Sequence, residues 1–256
     1  MFGYFVMNKI LNDIKDYMKK NGIDAVLLTS CENVYYASGF VSGVTGDSDA
    51  RLLITLNDSF IITDSRYTTY AKSVCLDFEL IEANCTSIDT MTYLISGHDI
   101  KKVAFENQRI TFASFSGYFA KLGAELIPLN NAVEDMRVIK SAEEISNIKK
   151  ACDIATEALR LTLPDIKVGV SEIQIAAKLE YNMRVLGAER TSFSTIVVSG
   201  ERSAMPHGIP SDKLICDGDP VTIDFGAVYN GYCSDMTRTF FVGTPSDKMV
   251  KIYETV

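Results

Sequence analysis

The sequence predicts an α/β protein with two domains, and three observations support this prediction. Up to residue 128, short apolar runs alternate with segments of helical periodicity, which is typical of an α/β domain with a mixed sheet. After a connector at 129–140, the pattern changes to long helices that open on capping boxes. A hairpin with two aspartates follows at 221–243. We place the boundary near residue 135, which gives domains 1–135 and 136–256.

Hydrophobic periodicity predicts the elements of the first domain. Apolar residues at helical spacing indicate a helix over 8–21, which Gly22 ends. Two apolar runs around Asn57 and Asp58 indicate a hairpin of strands 51–56 and 60–63. The same reasoning predicts further strands at 25–29, 78–81, 102–106 and 125–128, and helices over 64–74, 86–97 and 111–122.

The second domain begins with two clear helix starts. Ser141 with Glu144, and Ser171 with Gln174, have the serine-to-acid or serine-to-amide spacing of a capping box. The first helix is predicted to end before Pro164, and the second ends near Gly187. A strand over 195–199 then leads into a loop.

Composition excludes several classes of function. The 256-residue chain has a net charge of -8 and no cluster of lysine and arginine, which argues against a nucleic-acid partner. No apolar run approaches the roughly 18 residues of a membrane span. The six cysteines form no CxxC pair, so we expect reduced, buried thiols of a cytosolic protein. Two histidines, His98 and His207, are too few for a histidine-rich zinc site.

The hairpin at 221–243 is the most informative stretch. Asn230 and Gly231 are suited to a type I′ turn, because both central residues of that turn need positive φ. With those residues at the turn, Asp235 lies opposite Gly226, and Asp224 is two residues from Gly226 on the same face. The two aspartates become diagonal neighbours with Cβ atoms less than about 7–8 Å apart. Glycine at 226 is expected to leave the corner beside Asp235 empty.

Two like charges at that distance in an apolar sheet are costly unless something neutralises them. Three solutions remain open from the residues alone. The aspartates share a proton, or a cationic side chain pairs with them, for which Arg238 is the strongest local candidate. The third solution is a pair of divalent metal ions about 3.5–4 Å apart. The competing interpretation is a solvated hairpin with two surface aspartates.

The loop at 200–212 is rich in glycine, proline and serine, and it contains His207 between Pro206 and Gly208. A single loop histidine is by default a surface residue. This one precedes the aspartate hairpin by about one strand, on a loop of constrained backbone where binding groups are often placed. We therefore predict that His207 carries a proton or clamps a substrate.

These motifs together resemble a known family. Residues 200–243 are similar to the first half of the metal-dependent pita-bread peptidases, in the Xaa-Pro aminopeptidase/dipeptidase (prolidase-like) branch. Residues 136–145 (MRVIKSAEEI) resemble the start of that domain. Residues 33–40 (NVYYASGF) and 63–67 (TDSRY) resemble motifs of the creatinase-type N-terminal domain. The resemblance implies a creatinase-like mixed-sheet domain followed by the first half of an α+β pita-bread domain.

The resemblance also implies a function. It suggests a metallopeptidase that cleaves the Xaa-Pro bond at the N-terminus of peptides or dipeptides with a metal-activated water and two divalent ions of manganese, cobalt or zinc. Asp224 matches the first metal-binding aspartate, Asp235 the aspartate that bridges both metals, and His207 a histidine that contacts substrate and assists proton transfer. Thr237 and Arg238 lie in the stretch that surrounds these ligands. Expected partners are small peptides with proline at the second position, and a second copy of the chain in a cytoplasmic homodimer.

One departure from the family pattern affects these expectations. The family uses a further histidine and two glutamates from the second half of the pita-bread domain, and Glu254 does not match them. We therefore expect a chain truncated within that domain, inactive alone, with weak or absent metal binding and unpaired sheet edges. The alternative is a metal-free or non-catalytic relative on the same scaffold, such as a creatinase-like enzyme or a peptide- or protein-binding module. Such relatives typically lack the metal carboxylates, so Asp224 and Asp235 favour the peptidase.

Overall fold

The computed structural model of the chain describes residues 2–42, 47–83 and 86–255. It divides into two compact units, the first ending at Ile139 and the second beginning at Lys140. Each unit has its own hydrophobic core.

A six-stranded mixed sheet organises the first unit, as the sequence predicts. Its order is β4-β3-β2-β1-β5-β6. The strands β1, β2 and β3 pair antiparallel, and the pairs β3–β4, β1–β5 and β5–β6 are parallel. The strands are β1 (Ala25–Ser30), β2 (Asp47–Thr55), β3 (Ser59–Thr63), β4 (Glu79–Glu82), β5 (Lys102–Phe105) and β6 (Glu125–Pro128).

Helices cover both faces of this sheet. Every residue of β1 is buried, and alternate residues face opposite sides, with Val26 in one core cluster and Leu27 in the other. The helices are α1 (Phe2–Asn21), α2 (Cys31–Ser38), α3 (Thr68–Val74), α4 (Ser87–Gly97), α5 (Phe112–Lys121) and α6 (Ala132–Met136). The short helices α2 and α6 were not predicted.

A buried carboxylate stabilises the start of α2. Ser30 caps this helix by accepting a hydrogen bond from the backbone of Asn33. Glu106, which is 3% exposed and follows β5, accepts hydrogen bonds from Ser30 Oγ and from Asn33 Nδ2 at 2.7 Å. The partner of this helix start therefore comes from more than 70 residues further along the chain, which local periodicity does not reveal.

The second unit contains two long helices and two small antiparallel sheets. Both predicted capping boxes are present, at the starts of α7 (Ala142–Thr162) and α8 (Glu172–Val185). The sheets have the orders β12-β9-β8 and β11-β10-β7. Their strands are β7 (Arg190–Thr191), β8 (Ile196–Ser199), β9 (Pro220–Phe225), β10 (Ala227–Tyr229), β11 (Tyr232–Cys233) and β12 (Met236–Phe241), and helix α9 (Asp247–Thr255) follows.

The cysteine prediction is correct in one respect and wrong in another. The five cysteines within the described residues are all free thiols. Cys75 is buried, but the thiols of Cys152, Cys216 and Cys233 lie on exposed surfaces, so the expectation of uniformly buried cysteines is wrong. Their positions on the outer face of a helix, on a loop and at a strand end account for the exposure. Cys85 lies outside the described residues.

None of the described helices is long and apolar enough to cross a membrane.

Candidate metal centre

The aspartate hairpin has the predicted turn and register. Asn230 and Gly231 have φ values of 45° and 73°, as a type I′ turn requires. Tyr229 pairs with Tyr232 next to the turn, and further along Asp224 pairs with Thr237. The register is the same on both sides of the interruption between β9 and β10, so no residue is inserted into either arm.

Gly226 lies at the point where the hairpin passes from one sheet to the other. The corner beside it is not empty, contrary to expectation. A Cβ atom on Gly226 would lie 1.9 Å from the carbonyl oxygen of Ser234 and 2.8 Å from the hydroxyl of Ser192. The backbone of the opposite arm fills the space, because Ser234 bonds to Ala227 across the bend through N–H to O at 2.9 Å. Glycine is needed here for close approach of the two arms.

Asp224 lies on the polar face of β9. Its cross-strand partner Thr237 donates a hydrogen bond from Oγ1 to Oδ1 at 2.8 Å, and Thr222 and Thr239 face each other with hydroxyls 3.0 Å apart on the same side. Asp224 is half-buried, whereas Ile223 and its neighbours on the alternate positions are in the core. The apolar flanks therefore belong to the opposite face of the strand, and the carboxylate has polar neighbours.

Arg238 does not lie on that face. It pairs with Ile223, so its side chain starts from the other side of β12, and its Nη1 donates to the carbonyl of Thr237 at 2.7 Å. This placement weakens the hypothesis that Arg238 neutralises the aspartate pair.

Asp235 is exposed and comes two residues before Thr237, whose hydroxyl contacts Asp224. Strand alternation assigns Asp235 and Asp224 to a common face, although Asp235 itself lies outside the ladder at the bend. Its role as a metal ligand stays a prediction.

The loop of His207 packs over the same face of the sheet. Gly208 approaches Val198 so closely that a Cβ atom would lie 2.4 Å from Val198 Cγ1. Val198 pairs with Thr222, and Ile196, two residues earlier, pairs with Asp224. Residues that are directly opposite in an antiparallel pair share a face, so the backbone next to His207 rests on the side of the sheet that carries Asp224.

A cleft of about 740 Å³ lies beside His207. The imidazole is exposed at its edge, and Ile196, the cross-strand partner of Asp224, is part of its wall. Most of the remaining lining is apolar, including Phe193 and Ile209. Thr195 also lines the cleft, and among the described residues no group bonds to its buried hydroxyl. The cleft therefore combines an imidazole with a mostly apolar wall, and β8, which contributes Ile196 to that wall, lies next to the strand of Asp224; neither Asp224 nor Asp235 lines the cleft itself.

Sequence reasoning missed Glu172. The capping-box pattern of Ser171 and Gln174 spans this residue without assigning it a role, but its side chain is completely buried and binds the loop that carries His207. Burial is the largest influence on the pKa of Glu172 and raises it, but hydrogen bonds from Ser211 and Ser199 outweigh that influence and hold the pKa below its usual value. The partners lie 27 to 39 residues away, so no local pattern could identify them.

The donor atoms at this centre match divalent ions in kind but not in number. Carboxylate oxygens suit manganese and related hard cations. Within residues 2–42, 47–83 and 86–255, however, no group of three or more His, Cys, Asp or Glu side chains converges as a metal site would require. Catalytic zinc sites take about three protein ligands. The role of Asp224 and Asp235 as metal ligands therefore stays a prediction, and the two carboxylates alone are fewer than such a site takes.

Comparison with protein families finds two matches that together span most of the chain. The creatinase/prolidase N-terminal domain matches residues 11–139. The metallopeptidase family M24 matches residues 146–256.

Individual proteins are similar over nearly the whole chain. An uncharacterized peptidase, YqhT, of Bacillus subtilis is 44% identical over 96% of this chain and 69% of its own length. An Xaa-Pro dipeptidase of Pyrococcus horikoshii is 37% identical over 98% of this chain and 69% of its own length. Among solved structures, an Xaa-Pro dipeptidase from Bacillus anthracis superposes with a TM-score of 0.90 at 38% identity, over 98% of this chain and 69% of that one.

Proposed function

The chain belongs to the metallopeptidase family M24 and carries a creatinase/prolidase N-terminal domain, and we propose that it acts on the Xaa-Pro bond at the N-terminus of dipeptides or short peptides. Family membership implies peptide hydrolysis with a divalent metal cofactor. The preference for proline is our proposal, and the names of the similar Xaa-Pro dipeptidases support it.

One observation carries the assignment of the site. Ile196 and Asp224 are cross-strand partners, and Ile196 is also part of the cleft wall beside His207. A peptide bound in this cleft would therefore contact the imidazole of His207 and would lie one strand away from Asp224 on β9. The apolar lining suits the ring of a proline residue, because burying apolar surface is favourable.

In this proposal Asp224 and Asp235 are ligands of two divalent ions, manganese, cobalt or zinc, which when bound would provide an activated water and polarise the scissile carbonyl. Thr237 keeps the carboxylate of Asp224 in one orientation by donating to Oδ1. A hydrogen bond to the carboxylate of a metal ligand fixes the direction in which its free oxygen faces the metal. His207 contacts the substrate and moves a proton at its imidazole nitrogen.

Metal binding tests the two aspartates directly. We expect titration of the 256-residue chain with Mn²⁺, followed by electron paramagnetic resonance, to detect only weak binding, since two carboxylates are few ligands. Asp224→Asn and Asp235→Asn should each remove it. Asp247→Asn, at the start of α9, is the matched control and should bind as the wild type does. Undiminished binding by both site variants would reject the ligand assignment.

Activity tests the substrate class. With Mn²⁺, the protein should release proline from Ala-Pro and leave Ala-Ala intact. Asp235→Asn should abolish this release, and His207→Ala should reduce turnover by about 10²- to 10⁴-fold, as loss of a proton-transfer group does. Release that survives Asp235→Asn would contradict the metal role. No release with manganese, cobalt or zinc would favour the non-catalytic alternative.

A further inference from the structure

The carboxylate of Glu172 binds both ends of the loop that carries His207. At the start of the loop, Ser199 donates to Oε1 from its N–H at 2.7 Å and from its hydroxyl at 3.0 Å. Arg202 forms an ion pair with Oε2 at 3.0 Å. At the far end, Ser211 donates to Oε2 from its N–H at 3.1 Å and from its hydroxyl at 2.6 Å. One side chain thus closes the loop.

From this geometry we propose that Glu172 is a positioning residue that holds His207 at the edge of the cleft. The inference deepens the proposed function and rests on it for the role of the imidazole. Glu172 itself does not contact the cleft-facing ring, and it acts through the backbone on either side of it.

Arg202 connects Glu172 to the backbone two residues after His207. While its Nε pairs with Glu172, its Nη2 donates to the carbonyl of Ile209 at 2.6 Å, two residues after the histidine. Gly208, immediately after His207, lies against the side chain of Val198. The loop is therefore fixed at its two ends, at Ile209 and at Gly208, and the exposed imidazole takes its position from these anchors.

Helix capping alone does not explain why a buried glutamate stands at position 172. The start of α8 is already capped by Ser171 and Gln174, which exchange hydrogen bonds in the capping box. A buried charge is costly unless it is paired and hydrogen-bonded. All the groups that surround this carboxylate are donors, and an ionised carboxylate is an acceptor only. A glutamine would keep the shape but would direct an N–H₂ group against one set of these donors.

The chain offers a direct spectroscopic test because it contains two histidines. Ring ¹H–¹³C signals of ¹³C-histidine-labelled protein give one reporter in the loop, His207, and one internal reference, His98, whose Nδ1 lies 2.8 Å from the Leu94 carbonyl in the other unit. In Glu172→Gln we expect the His207 signal to narrow and move toward the position of an unstructured histidine. The His98 signal should not move.

Limited trypsin digestion adds an independent measure of the same loop. Cleavage after Arg202 should become about tenfold faster in Glu172→Gln, as loss of a hydrogen-bonded charge pair predicts. The matched control is Glu157→Gln, which breaks an exposed glutamate–arginine pair on α7 with Arg160 and should change neither signal nor cleavage.

Ser211→Ala keeps the test decisive if Glu172→Gln does not fold, because it removes one hydroxyl bond at the end of the loop and leaves α8 intact. We expect a smaller change in the same direction. Unchanged His207 signals and unchanged Arg202 cleavage in every folded variant of the two would overturn the proposal.

A double-mutant cycle separates this inference from the proposed function. In the metal-loaded enzyme, Glu172→Gln should lower turnover, and the double variant with His207→Ala should be no slower than His207→Ala alone, because both changes act through one group. An additional loss in the double variant would contradict positioning through His207. If His207→Ala keeps full turnover, the proposed role of the histidine fails, while the effect of Glu172 on loop order is still measured by the spectra.

Discussion

Replacement of Gly226 by alanine is the sharpest test of how the aspartate hairpin is built. The φ of Gly226 is not in the left-handed region, so the requirement for glycine is one of space. The new Cβ atom would lie 1.9 Å from the Ser234 carbonyl oxygen. Because that atom belongs to the backbone, a side-chain rotation cannot relieve the overlap, and the two arms of the hairpin must separate.

The expected loss of stability follows from the contacts at the bend. Separation would strain the bond from Ser234 N–H to Ala227 O at 2.9 Å and that from Ser192 Oγ to Ser234 O at 2.7 Å. Overpacking costs about 1–3 kcal/mol, and one lost hydrogen bond adds about 0.5–1.5 kcal/mol. We therefore expect the free energy of unfolding of this unit to fall by about 2–4 kcal/mol.

Urea denaturation followed by far-UV circular dichroism measures this loss. With an m-value of about 2 kcal/mol/M, the midpoint should fall by about 1–2 M. Hydrogen–deuterium exchange of peptides that cover 220–241 locates the effect in the hairpin. Gly97→Ala at the end of α4 is the control, because a Cβ atom there meets nothing within 4 Å. If the free energy of unfolding of Gly226→Ala lies within about 0.5 kcal/mol of the wild-type value, as it does for neutral surface substitutions, the two arms do not need glycine for their close approach.

Three further predictions concern the loop, a buried acid and a buried thiol. Gly208→Ala places a Cβ atom 2.4 Å from the buried Val198 side chain, so differential scanning calorimetry should detect a stability loss of about 1–3 kcal/mol. Burial raises the pKa of Glu172, but hydrogen bonds from Ser211 and Ser199 outweigh burial, so the pKa in the folded protein is lower than the ordinary 4.5. The ionised carboxylate therefore stabilises the fold above pH 4.5, and this contribution is lost as the pH falls through the lower folded pKa. Urea midpoints measured on both sides of that range should therefore drop more in the wild type than in Glu172→Gln, and equal drops would contradict this. Burial raises the pKa of Cys75 to about 11, so a thiol reagent followed by peptide mass mapping should label it about 100-fold more slowly than exposed Cys152, and equal rates would count against burial.

The sequence predicted correctly those features that depend on hydrogen bonds between near neighbours in the chain. The capping boxes at Ser141 and Ser171 satisfy backbone groups within one helical turn, and both formed as predicted. The Asn230–Gly231 turn determines the register of its own hairpin, because a two-residue type I′ turn fixes which residues face each other. The mixed sheet of the first unit also followed from alternating strand and helix patterns.

The sequence by itself therefore determined the order of the main elements, the hairpin register and the face assigned to Asp224. Only the tertiary structure decided that the Ser234 backbone fills the corner at Gly226, and that Glu172 bonds to both ends of the His207 loop. The physical reason is the range of the interactions. Periodicity and turn chemistry encode hydrogen bonds between near neighbours, whereas a buried carboxylate selects partners 27 to 39 residues away, and these meet it only after helices and sheets have packed.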